Sequence, residues 1–188
     1  FQAGSAAIVR LRDWAVCRAD PPTSSTVLAP GCGAGAVLRA LRDRVPGGVV
    51  IGVEADVVLR ELAAARLADL NVQILAGVPE QLPMADESVD LVLAEEVLSR
   101  TTHPAAATAE MARVVRPGGT VAIIDADHLT LRVAGLDPAS SRLLLERVVP
   151  LMAAHPGCAR EVPQLLTAAG LVLDPDIEAS AVTLVGRQ

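Results

Sequence analysis

The chain has 188 residues, 52% of them hydrophobic and 20% charged, with a mean hydropathy of +0.44. That composition builds a buried core and excludes a chain disordered throughout. Sixteen basic residues, all arginine, stand against twenty-two acidic ones for a net charge of −6, which argues against a surface for nucleic-acid backbones. Aromatics stop at Phe1 and Trp14, so neither base stacking nor an aromatic cation cage has the side chains it needs.

In chain order, Ala6 to Arg18 reads as a helix with Ile8, Leu11 and Ala15 on one face, stopped by Asp20-Pro21-Pro22. Thr26 to Ala29 is a short apolar strand running into glycines, and Ala36 to Arg44 is helical. Val49 to Val53 is β-branched and apolar, the pattern of a strand buried on both faces. Val57 to Leu70 is helical, Val72 to Leu75 the third strand, Asp90 to Ala94 the fourth. A helix over Ala105 to Val115 stops at Pro117-Gly118-Gly119, and Thr120 to Ile124 is the fifth strand. Helices follow at Pro138 to Ala153 and Arg160 to Ala169, with final strands at Leu171 to Leu173 and Ala181 to Val185. Strands alternating with helices predict an α/β fold: a Rossmann-like, mostly parallel seven-stranded sheet with helices on both faces. No linker or repeat interrupts it, so one domain over 1–188 is expected.

Cys17, Cys32 and Cys158 are odd in number and lack metal-ligand spacing, which fits a reducing compartment and predicts no metal. No apolar run reaches the length of a membrane span and no leader peptide is visible, so a cytoplasmic protein is expected.

The first strand ends in Pro30-Gly31-Cys32-Gly33-Ala34-Gly35 before a helix. Glycines there let a backbone approach a ligand closely, and the helix start offers unpaired N–H groups. The loop by itself also satisfies a dinucleotide pattern, through Gly31, Gly33 and Ala36. Glu54, at the tip of the second strand, suits a ribose diol in either cofactor class.

The later segments separate the two. Leu28 to Gly35 resembles the first motif of the class I S-adenosylmethionine methyltransferases, and Glu54 falls where that family keeps its ribose-binding acid. The stretch from Gly77 to Asp90, with Pro83-Met84-Ala85-Asp86, is similar to the family's segment between strands three and four. Ala109-Glu110-Met111-Ala112-Arg113-Val114-Val115-Arg116-Pro117-Gly118-Gly119 resembles its helix and turn before strand five. The resemblance covers about Val27 to Asp125 and is closest to the small-molecule branch. It implies S-adenosylmethionine or S-adenosylhomocysteine bound by Ala29, Gly31, Cys32, Gly33, Gly35, Glu54, Ala55, Val78 and Ala94, and methyl transfer to a small, apolar metabolite without nucleic acid or membrane. Three positions depart from the family's pattern. Ala29 replaces an acid, Val78 replaces an aspartate acceptor for the adenine amine, and Pro79 has no N–H to offer the ring. They leave an alternative: a methyltransferase-like protein that binds the cofactor structurally, runs a cyclase-type reaction or serves as an interaction partner. An NAD-dependent oxidoreductase shares only the loop.

Methyl transfer needs alignment and, for most acceptors, a base. Bases are expected at the carboxyl ends of strands four and five. Glu95 and Glu96 follow the fourth; Asp125, Asp127 and His128 follow the fifth. His128 is the first choice because imidazole titrates near neutrality, and Glu95 the second. His103 precedes Pro104 at a helix start and reads as a cap, His155 as a turn residue, Cys32 as small packing in the loop. The apolar stretch from Ala126 to Ala159 is expected to cover the acceptor.

Overall fold

The computed structural model describes residues 6–131, 133 and 135–175. In chain order the elements are α1 Ala6–Ala19, β1 Thr26–Pro30, α2 Ala36–Arg44, β2 Val49–Glu54, α3 Val57–Arg66, β3 Val72–Ala76, β4 Val89–Glu95, α4 Pro104–Val114 and β5 Val115–Ile124. After these come a 3-10 turn at His128–Thr130, α5 Pro138–Met152, a second 3-10 turn at Cys158–Arg160 and α6 Val162–Ala168. Asp56 caps α3 by accepting from Val58 and Leu59 N–H, and Asp137 caps α5 through Ala139 and Ser140 N–H, each satisfying donors that a helix start leaves unpaired.

The five strands lie in the order β3-β2-β1-β4-β5, every pair parallel. Alternation along each strand divides the core in two. Val27, Ala29, Leu91 and Leu93 face α1 and α2, where they meet Ala15, Val16, Leu38 and Leu41. Leu28, Val92 and Ala94 face the opposite layer with Ala107, Met111 and Val114 of α4, backed by Val162 and Leu165 of α6. The strand order turns back between β1 and β4. Both neighbouring connections therefore leave the sheet in opposite senses, and a crevice opens at the carboxyl ends of these two strands.

Four details differ from the sequence reading. The described sheet has five strands, not seven. Leu171–Leu173 is not a strand: Leu171 N–H closes onto Leu166 O at 3.0 Å and Val172 is 96% exposed, so no ladder partner holds it. The strand expected at Ala181 to Val185 lies outside the described residues. The third helix stops at Arg66 rather than Leu70, because Leu67 leaves helical geometry and Leu70 N–H turns back to Leu67 O. Strand β5 begins at Val115, directly after α4, with Pro117-Gly118-Gly119 taken up inside it. The register runs from Val89↔Val115 to Leu91↔Thr120, so the turn residues are absorbed as a bulge. Among the described residues no helix is long and apolar enough to cross a membrane, and no cluster of His, Cys, Asp and Glu has the makings of a metal site.

Candidate active site

The glycine loop leaves β1 at Pro30, and Gly33 and Gly35 sit at φ +54° and +87°. A side chain at Gly33 would meet nothing within 4 Å; its left-handed backbone is what demands glycine. At Gly35 both reasons hold, since a Cβ would stand 2.7 Å from Leu67 Cδ1. The loop is tied to β2 by Cys32 N–H donating to Val53 O at 3.1 Å. Helix α2 then starts with no side-chain cap at Gly35, leaving its first N–H groups to the loop and to whatever lies in front of it.

Glu54 ends β2 beside this loop. Its Oε2 accepts from Gly33 N–H at 2.8 Å and its Oε1 from Asp56 N–H at 3.0 Å. A carboxylate oxygen takes two hydrogen bonds, so each retains capacity for a hydroxyl. A vicinal diol fits that donor-acceptor balance, and in this respect the residues present fit an adenosyl cofactor. The exposed Ala55 and the 41% exposed Val78 offer apolar surface nearby in sequence to Glu54 and β3. Val78 is held in a tight turn by an antiparallel bridge to Gln81, and Pro79 brings no donor to it.

Cys32 is buried within the loop; burial, then the charge of Glu54, pushes its thiol up to about 12. It is a neutral packing group under Gly52, where a Cβ would stand 2.7 Å from its Sγ. Ala29 and Ala94 are wholly buried in β1 and β4, so neither presents side-chain surface to a ligand. The sequence reading had placed both among the cofactor contacts. The reason is the inward phase of each strand: these side chains fill the two core layers.

Beyond β4 and β5 stand the five groups proposed as bases. Glu95 accepts from Arg12 Nε at 2.5 Å and from Arg12 Nη2 at 2.6 Å, with both side chains nearly buried. Its two oxygens are committed to α1, which takes it out of the role of free base. Glu96 turns the chain at φ +53°, donates its N–H to Ile124 O and pairs with Arg100 at 3.0 Å. Asp125 accepts from Ser99 N–H and from its neighbour Ala126 N–H. Asp127 caps the first 3-10 turn and pairs with Arg160 at 2.5 Å. His128 differs from these four. It is 5% exposed, and its Nδ1 is buried without a hydrogen-bond partner among the described residues. Its own N–H donates to Pro156 O at 2.9 Å, fixing it against the segment that follows α5. It lines an apolar cavity of about 770 Å³ between the 3-10 turn and α5. No residue of the glycine loop is among the described residues that line that cavity.

His103 occupies the N-cap position of α4 without a side-chain cap bond, and His155 Nε2 lies 3.1 Å from Glu161 Oε1. The sequence reading missed Arg12. Its signal is a charged residue at the i+4 position from Ile8 on the face that Ile8, Ala15 and Ala19 share, where a solvated arginine does not belong. Ser141 was missed as well. It stands one turn before Leu145 and two before Val149 on the cavity side of α5.

A parallel sheet in this order, with a glycine loop after β1 and an acid at the tip of β2, defines a Rossmann-like α/β fold, and the methyltransferases share it. The comparisons agree. A family model described as a methyltransferase domain matches residues 28–123. A demethylmenaquinone methyltransferase from Roseiflexus sp. (strain RS-1) is 32% identical over 177 residues, covering 91% of this chain and 72% of that protein. A nocamycin O-methyltransferase from Saccharothrix syringae is 31% identical, covering 89% and 69%. The crystal structure of the YcgJ protein from Bacillus subtilis shares the fold, with a TM-score of 0.69 at 23% identity over 86% of this chain and 68% of that one. The chain belongs to the methyltransferase domain family, and its activity is methyl transfer.

Proposed function

We propose that the cofactor lies on the loop Gly31–Gly35 against Glu54, and that the acceptor is a small, largely apolar molecule held beyond β4 and β5. The observation that carries the cofactor reading is the Glu54 carboxylate. It sits 2.8 Å from Gly33 N–H, at the one place where a strand-tip acid and the glycine loop meet. When bound, S-adenosylmethionine supplies a methyl group activated on a sulfonium. The chain's own residues hold and orient. Main-chain groups of Gly31, Cys32, Gly33 and Gly35 line the cofactor, Glu54 accepts from its ribose hydroxyls, and Ala55 and Val78 flank the adenine with apolar surface. His128 is the base, because Glu95, Glu96, Asp125 and Asp127 are each engaged elsewhere. The small-molecule acceptor is supported by the relatives, one named for demethylmenaquinone and one for nocamycin.

Titration calorimetry with S-adenosylmethionine, S-adenosylhomocysteine and NAD tests the cofactor. The adenosyl compounds bind and NAD does not. Glu54→Ala weakens them by about 1.5–3 kcal/mol, the worth of charge-assisted hydrogen bonds. Unchanged affinity in the variant places the cofactor elsewhere, and binding of NAD alone overturns the reading.

A further inference from the structure

The cavity beyond β5 is built for one kind of guest. Its walls include Leu129, Leu131, Val133, Leu136, Leu145 and Val149, with no Phe, Tyr or Trp among the described lining residues. At about 770 Å³ it falls in the range of sites that enclose a small organic molecule. Two buried polar side chains interrupt the apolar lining. Ser141 is already engaged, its Oγ accepting from Val133 N–H at 3.3 Å. His128 is not. Nδ1 is sealed without a partner. Nε2 also has no hydrogen bond among the described residues, yet it is not among the sealed atoms. An imidazole this buried normally has a partner, and here the nitrogen left accessible belongs to a residue that lines the cavity. Arg142 and Glu146 also line it, but both are exposed on α5. Among the described lining residues no charged side chain is buried, so the chamber favours an uncharged guest.

We infer that this cavity is the acceptor chamber, and that it selects an uncharged, apolar molecule carrying a hydroxyl that hydrogen-bonds to His128 Nε2. The inference rests on the methyl-transfer reading and names its substrate class. A hydroxyl both donates and accepts, so it pairs with either imidazole tautomer. With the proton on Nδ1, Nε2 accepts the hydroxyl proton. The O–H bond breaks, the proton passes to Nε2, and the bonding pair stays on oxygen as the nucleophilic lone pair.

The test uses 1-hydroxypyrene and pyrene as fluorescent probes on the whole chain, without cofactor. Both bind, and the hydroxyl compound binds about two- to tenfold more tightly, the worth of one hydrogen bond. His128→Leu abolishes that preference while pyrene still binds. His128→Gln, whose amide reaches the place of Nε2, restores it; His128→Asn, which reaches only the place of Nδ1, does not. Leu145→Trp narrows the chamber and weakens both probes. A wild type without preference, a preference that survives His128→Leu, or probes indifferent to Leu145→Trp would each overturn the inference. If His128→Leu fails to fold, the Gln, Asn and Trp variants decide. S-adenosylhomocysteine titrated into the same samples keeps the two readings apart. Its failure to bind while the probes behave as expected sinks the cofactor assignment and leaves the chamber standing.

Discussion

Arg12 and Glu95 form a bidentate pair that joins α1 to the tip of β4, with side chains only 5% and 11% exposed. Such a pair brings little net stability, because desolvating both charges offsets their attraction. Removing one partner is another matter, since the other charge stays buried alone. Arg12→Ala is therefore expected to lower unfolding stability by about 3–5 kcal/mol in urea titration. The double variant Arg12→Met, Glu95→Leu is expected to recover most of that loss. Additive losses in the double variant would show that the two side chains do not act as a pair. The pair also explains why Glu95, legible in the sequence as an acid after strand four, is no base. Nothing in its local spacing reveals that an arginine 83 residues away claims both its oxygens.

At the scale of elements, α4 holds the segment that carries Val78 and Pro79. Arg113 donates to Glu110, to Asp86 at 2.6 Å, to Met84 O at 2.9 Å and to Leu82 O at 3.2 Å, while Glu110 accepts from Leu82 N–H at 2.8 Å. Residues 82–86 have little regular structure, so these bonds substitute for a ladder. Arg113→Ala is expected to cost about 1–2 kcal/mol, because these groups are partly solvated. It should also speed proteolysis within residues 77–88. The bond from Arg113 lowers the Glu110 pKa from its ordinary value. The sign follows: this contribution is complete above the ordinary carboxylate range and is lost as pH falls through the lowered value. The difference between wild type and Arg113→Ala should therefore shrink on acidification. A difference that grows in acid would refute this account.

For the whole molecule, the sheet order among the described residues places β1 and β4 inside and β3 and β5 at the two ends of the order. Four of the five residues of β1 are buried, and so are five of the seven of β4, whereas β3 has none. Amides of β1 and β4 are expected to exchange with deuterium at least about a hundredfold more slowly than those of β3, because central strands open only with global unfolding. Equal rates across the sheet would mean that the two core layers do not form one cooperative unit. The crevice follows from the same order, since only the reversal between β1 and β4 opens space at the strand ends.

Local chemistry made the fold and the glycine-loop end of the proposed site readable. Apolar runs of β-branched residues, Pro-Gly stops and a glycine loop followed by a strand-tip acid act over a few residues. Period and turn chemistry therefore reveal them without a structure. The sequence determined five strands, the helices between them, and the place of Gly33 and Glu54. Long-range packing decided the rest. It buried Ala29 and Ala94, withdrew Glu95 into an ion pair with Arg12 and left Leu171–Leu173 without a ladder. It also brought His128 against Pro156 and beneath α5 as a buried imidazole with no hydrogen-bond partner among the described residues. Burial and hydrogen-bond partnership belong to contacts between segments distant in the chain, and those contacts exist only once the sheet has set which strand ends lie side by side.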